Sequence, residues 1–210
     1  MSCCFESHCK ACPRLSQFLT ELRQQYPDYH NQPVAPFGDQ AARLLVVGLA
    51  PGMHGANASG KPFIGDDSGG LLYQTLYQFS FANKAQAQAD DPHFKLSDCR
   101  ITNAVKCLPP QNKPTAAEVK QCNAFLAAEI ASLPEGAVMV ALGVVAHDAI
   151  LRALALKKKE YRFAHNAQHA LSRGITLIDS YHCSRYNTQT KRLTPEMFAA
   201  VFAQARALLG

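Results

Sequence analysis

Apolar positions in this chain form two patterns: short unbroken runs, and longer segments in which they recur three and four residues apart. The run at 43–49, RLLVVGL, has no polar alternation and predicts a strand covered on both faces, the central strand of a sheet. Residues 100–105, 137–142 and 175–179 are read as three further strands. Helical spacing marks 13–25, 70–81, 143–156 and 195–209, the third of these ending in Lys157, Lys158 and Lys159. Thr115 followed by Glu118 is a capping-box signature that opens a helix reaching about residue 133, and Asp67 with Ser68 supplies the caps expected for the helix over 70–81. Polar, Gly- and Pro-rich stretches at 27–39, 50–69 and 83–92 read as loops.

Strands alternating with helices predict an α/β fold, one domain over residues 1–210 with an open, four-stranded, mostly parallel sheet flanked by helices. In such sheets ligands sit beyond the carboxyl ends of the strands, which here carry 50–69, 106–114, Gly143 and 181–190. A length of 210 residues suits a single domain with a sizeable core. No apolar stretch approaches the ~20 residues of a membrane span, and the beginning MSCCFESHCK is too polar for a secretory signal, so the cytoplasm is the expected compartment. The net charge of +5 is uneven: residues 1–105 carry 8 Lys and Arg against 9 Asp and Glu, residues 106–210 carry 13 against 7. A basic second half is permissive for a polyanion partner without specifying one.

Eight cysteines without an export signal point to metal binding rather than disulfides. Cys9 and Cys12 form a C-x2-C pair, and Cys107 and Cys122 have fourteen residues between them, so two distant segments can supply four thiolates. Four Cys ligands suit structural zinc or an iron–sulfur cluster, and buried unligated cysteines are the alternative. Cys3 and Cys4 are read as frayed terminus and Cys99 as packing, with Cys183 left over.

Residues 55–61, GANASGK, meet the first seven positions of the phosphate-binding pattern G-x-x-x-x-G-K-[ST], but Pro62 takes the eighth. The magnesium-binding hydroxyl is missing and proline removes a backbone donor, which speaks against a nucleoside triphosphatase. Next, FIGDDSG (63–69) places an aromatic ring and two carboxylates at the mouth of the sheet; Asp67 reads best as a helix cap, while Asp66 is open between dipole and chemistry. Asn103, near a strand end, either reads a base edge with its amide or bonds local backbone. His182, just after a strand, is either a donor to a developing anion or a satisfied core histidine, with Arg185 within reach of a phosphate.

Three segments together, ARLLVVGLAPGMHGANASGKPFIGDDSG (42–69), ITNAVKCLPPQNKPT (101–115) and SYHCSRYNTQT (180–190), resemble the uracil-DNA glycosylase superfamily, most closely its iron–sulfur branch, family 5 or type B. The resemblance runs from the first Cys pair to the last helix. It implies a structural [4Fe–4S] cluster on Cys9, Cys12, Cys107 and Cys122, with zinc as the alternative metal. Phe63 would stack on an extruded base, the loop with Gly48, Ala50 and Gly52 would line the pocket, and Asn103 would read the base edge. His182 would hydrogen-bond the departing base, Asp66 would be the catalytic carboxylate, and Arg185 with its neighbour Ser184 would enter the duplex. The implied activity is monofunctional, base-flipping excision of uracil, and of other deaminated bases, from DNA by a monomer. Two departures stand out: Cys183 replaces the proline of the usual HPS, and Gly52 stands where family 5 commonly has Ala; Leu49-Ala50 lacks the acidic side chain of family 4. The rival reading from another class is a non-catalytic nucleic-acid-binding module with a Cys4 metal site.

Overall fold

The computed structural model describes residues 5–210, so the reading of Cys3 and Cys4 lies outside the described residues. Strand β2 (Leu44–Gly48) is buried at all five positions and sits at the centre of the sheet, as its unbroken apolar run requires. With helix α1 (Pro13–Gln25) and the short strand β1 (Phe37–Gly38) before it, the chain continues through α2 (Ala56–Ser59), α3 (Asp67–Gln78), β3 (Cys99–Asn103), α4 (Ala116–Ala131), β4 (Val138–Leu142) and α5 (Val144–Ala153). It ends with β5 (Gln168–Ala170), β6 (Thr176–Ser180), α6 (Arg185–Gln189) and α7 (Pro195–Leu209).

The four expected strands are β2, β3, β4 and β6, and they pair in parallel in the order β3-β2-β4-β6. Among the described residues the sheet nevertheless has six strands rather than four: β1 and β5 add antiparallel edges to β3 and β6. Neither edge carries a hydrophobic signal, since β1 is two residues long and β5 reads Gln-His-Ala with both outer positions exposed. Helices α1 and α7 occupy the predicted residues, and Thr115 and Glu118 close the predicted capping box reciprocally, at 3.2 and 2.7 Å.

Alternation along β2 divides the core. Leu44 and Val46 face a layer containing Leu72 and Leu76 of α3 and Phe198 and Phe202 of α7; Leu45 and Val47 face Leu126 and Ile130 of α4 and Ala149 and Ile150 of α5. The chain leaves β2 for β3 on one side and returns for β4 on the other, so a crevice opens at the carboxyl end of β2, where strand order reverses. None of the helices among the described residues is long and apolar enough to cross a membrane.

Candidate active site

A cavity of about 560 Å³ lies at that switch point, lined by Ala50, Gly52, Phe63, Asp66, Asn103 and His182, with Ser184 and Arg185 at its edge. They arrive from three segments: the connection from β2 to α3, the end of β3, and the stretch after β6 that runs into α6. Asn103 is the last residue of β3, and its Oδ1 is buried with no hydrogen-bond partner, while its backbone carbonyl accepts from Lys106 Nζ at 3.0 Å. Lys106 itself is buried and paired with Glu129 at 2.7 Å, which ties the strand end to α4. Gly48 lies beneath: a Cβ there would overlap both Asn103 Oδ1 and the Phe63 ring. Phe63 adopts φ 62°, a conformation unfavourable for a bulky residue, and its ring faces that of His182 at 6.1 Å with an interplanar angle of 27°.

Helix α3 starts at Asp67, three residues earlier than the apolar spacing suggests, and the N-cap position belongs to Asp66 rather than to Asp67 or Ser68. The Asp66 side chain makes no cap bond. It turns back, accepting from the backbone N–H of Ala56 at 3.2 Å and from that of Gly52. Burial nevertheless outweighs these donors and holds its pKa above the ordinary carboxylate value, with exposed Asp67 adding a little repulsion. The carboxylate fills the space over two glycines, because a Cβ on Gly52 or Gly55 would overlap Asp66 Oδ1. The glycine at 52 is therefore one that the place of Asp66 uses. At Gly55 a methyl would also meet the Asp66 backbone nitrogen, so Gly55→Ala is expected to cost about 1–3 kcal/mol of overpacking, several degrees of Tm for a chain of this size, readable by thermal unfolding.

His182 follows β6. Its ring is partly buried, its Nδ1 is enclosed without a partner, and burial pushes its pKa down to about 4, so the imidazole is neutral at working pH. Cys183 is packed into the core, and burial pushes its thiol up to about 12, leaving it inert as a nucleophile. Ser184 caps α6, its hydroxyl accepting weakly from Asn187 N at 3.4 Å, and Arg185 projects to solvent. The GANASGK segment folds as a single helical turn, α2, that stops at left-handed Gly60; Lys61 turns away to the Ala89 carbonyl, 2.8 Å, and cradles nothing in the cavity.

Among the lining residues that the sequence did not single out are Val144 and Val145 in the first turn of α5, and Tyr186 in α6. Val144 is 51% exposed and Tyr186 71%, so an apolar rim surrounds the polar floor. The available signal was two valines opening a helix directly after a strand, an apolar pair at its solvent end.

The four cysteines Cys9, Cys12, Cys107 and Cys122 meet around a second cavity of about 220 Å³ beside α1 and α4. Burial, then the neighbouring thiols Cys122, Cys9 and Cys12, pushes Cys107 up to about 12; Cys12 and Cys122 are also raised, burial first. Such a set resists ionisation unless positive charge is placed among the sulfurs, and Lys106 N–H already donates to Cys122 Sγ at 3.3 Å. A tetrahedral zinc site would bring its sulfurs to about 3.8 Å from one another, from Zn–S bonds of about 2.3 Å. Among the described residues, the only three potential ligand atoms within 4.8 Å of one another belong to His147, His169 and Asp179, which hydrogen-bond among themselves. The four cysteine sulfurs form no such group among the described residues. Arg14, two residues after Cys12, grips Glu118 with two nitrogens at 2.8 and 2.7 Å, clamping the start of α1 to the start of α4.

This arrangement has relatives. Residues 35–206 match the family model described as the uracil DNA glycosylase superfamily. A type-5 uracil-DNA glycosylase of Thermus thermophilus is 42% identical over 96% of this chain and 94% of its own length. Those of Mycobacterium leprae and Pyrobaculum aerophilum are 38% and 37% identical, over 97% of this chain and 93% and 90% of their own lengths. With matches of this extent running through the strand ends that build the cavity, the chain belongs to the uracil-DNA glycosylase superfamily.

Proposed function

We propose that the protein removes uracil from DNA by hydrolysing the N-glycosidic bond, leaving an abasic site, as the names of its type-5 relatives state for them. The observation that carries this reading is the pair of unpartnered buried polar atoms, Asn103 Oδ1 and His182 Nδ1, in a cavity that also holds the Asp66 carboxylate. Buried polar atoms without partners cost stability and mark the place of a polar ligand.

Bond cleavage sends the electron pair to the leaving base and positive charge to the sugar. Neutral His182 and loop N–H groups stabilise the uracilate; Asp66 stabilises the oxocarbenium-like sugar and orients the attacking water. The base is out of reach inside the stack, so it is flipped, at a cost of a few kcal/mol that is smallest in a mismatch such as U·G. Phe63 offsets part of that cost by stacking, worth about 1–3 kcal/mol. Asn103 reads the base edge, with Gly48, Ala50 and Gly52 shaping the pocket, and Ser184 and Arg185 meet the DNA backbone. The volume leaves room for deaminated purines as well.

Cys9, Cys12, Cys107 and Cys122 would hold a [4Fe–4S] cluster, a structural cross-link rather than a participant, since hydrolysis moves no electron; zinc is the lesser candidate. The whole chain acts as one domain closed at its N-terminal end by the Cys pair, working as a monomer in the cytoplasm. The test is chromatographic detection of free uracil after incubation with U·G, U·A and single-stranded substrates. Uracil from U·G is the expected result, and DNA binding without release of any base would return the protein to a binding module.

A further inference from the structure

The segment from Tyr181 to Ser184 has no regular secondary structure, and Cys183 gives the backbone none of the φ restriction a proline would. Yet the peptide groups around His182 are each held by a side chain. Tyr181 N–H donates to His165 Nδ1 at 3.1 Å, Ser180 Oγ donates to the Tyr181 carbonyl at 2.9 Å, and Asn187 Nδ2 donates to the His182 carbonyl at 2.8 Å. The His165 ring stacks on that of Tyr181 at 5.0 Å and 21°, and the Arg192 guanidinium covers the same tyrosine at 4.7 Å. His165 also bonds the Met197 backbone in the first turn of α7. Accepting at Nδ1 leaves the neutral ring its proton at Nε2, and burial favours that neutral form by lowering the pKa.

We propose that His165 and Asn187 are positioning residues that aim His182 into the cavity, doing by hydrogen bonds at either end what a proline at position 183 would do by ring closure. The inference rests on His182 acting on the leaving base. His165 anchors the N–H of Tyr181, Ser180 Oγ holds the Tyr181 carbonyl in the peptide that precedes the His182 Cα, and Asn187 anchors the His182 carbonyl to α6, so the two peptide planes flanking that Cα are held, the first of them on a tyrosine that His165 fixes. Removal of either anchor lets the ring swing by about 1 Å, a displacement that costs on the order of 100-fold in a preorganised site.

Two variants separate the acceptor from the ring. His165→Phe keeps the stack and loses the acceptor; His165→Asn loses the stack and places Oδ1 near the position of Nδ1. In single-turnover excision from a U·G duplex, His165→Phe is expected to slow the chemical step by about 10- to 100-fold. Its affinity for a duplex carrying uncleavable 2′-fluoro-deoxyuridine should stay within about two-fold. His165→Asn should recover most of the rate, and Cys183→Pro added to His165→Phe should restore it in part. An unchanged rate in His165→Phe, or equal losses in both variants, overturns the proposal. NMR keeps it separate from the activity: His182 ring signals, single and sharp in the ligand-free wild type, should broaden or split in His165→Phe. If the wild type releases no base while those signals change, the functional reading fails and the positioning stands; unchanged signals overturn the positioning.

Discussion

Asp66→Asn is expected to leave a folded protein that binds uracil-containing duplex and excises uracil about 10²–10³-fold more slowly, the scale of removing one preorganised electrostatic stabiliser. The amide keeps an oxygen for the Ala56 and Gly52 N–H groups but carries no charge to the sugar. The pH dependence identifies the group. Because burial holds the Asp66 pKa above its ordinary value, the wild-type rate should fall in mild acid as the carboxylate is protonated, at higher pH than for an exposed aspartate. His182, held at about 4, stays neutral through that range, so the acid limb belongs to Asp66 and disappears in Asp66→Asn. Stability runs the other way. A carboxyl whose folded pKa exceeds its unfolded one opposes folding at neutral pH and does so less as pH falls through the folded value, so Asp66→Asn should melt no lower than wild type at pH 7. Single-turnover rates from pH 4.5 to 8, with thermal unfolding of both proteins, check the three statements together. A variant that is slow only because it is unstable contradicts them.

The second large effect concerns the cysteines. Wild type should be brown with about four irons per chain, and Cys107→Ala should lose colour and iron together. Through a cluster, Cys107 would join the connection after β3 to the C-x2-C segment, and its loss would untie the N-terminal helix from the strand that ends in Asn103. Losing such a cross-link costs about 3–5 kcal/mol, and at about 2–4 °C per kcal/mol Tm should drop by about 6–20 °C. Iron analysis, visible absorbance and thermal unfolding are the readouts. A colourless wild type with one zinc would overturn the cluster in favour of the single ion.

Where packing dictates local structure, the fold was legible. The unbroken apolar run made 43–49 recognisable as the central strand, and regular apolar spacing placed α1 and α7 to the residue. The edges were not legible: β5 is written in Gln, His and Ala and owes its pairing to β6. The start of α3 was misplaced because Gly69 and Gly70 interrupt the apolar spacing, although they continue the helix. Within the site, residue chemistry and segment ends marked Asp66, Asn103, His182 and the four cysteines as candidates, and the fold brings each set together. What no spacing could show was direction: that Asp66 turns back over Gly52 instead of capping α3, or that His165, seventeen residues before His182, holds the N–H of the tyrosine that precedes it.

The most direct test of the account is single-turnover excision from a U·G duplex by iron-replete protein, with released uracil quantified against alkali-labile strand breaks, in wild type and Asp66→Asn side by side. Equal yields of uracil and breaks from wild type, with a rate at least about 100-fold lower for the variant, are predicted. Equal rates for the two proteins, or binding with no uracil released, would contradict a glycosylase built around Asp66.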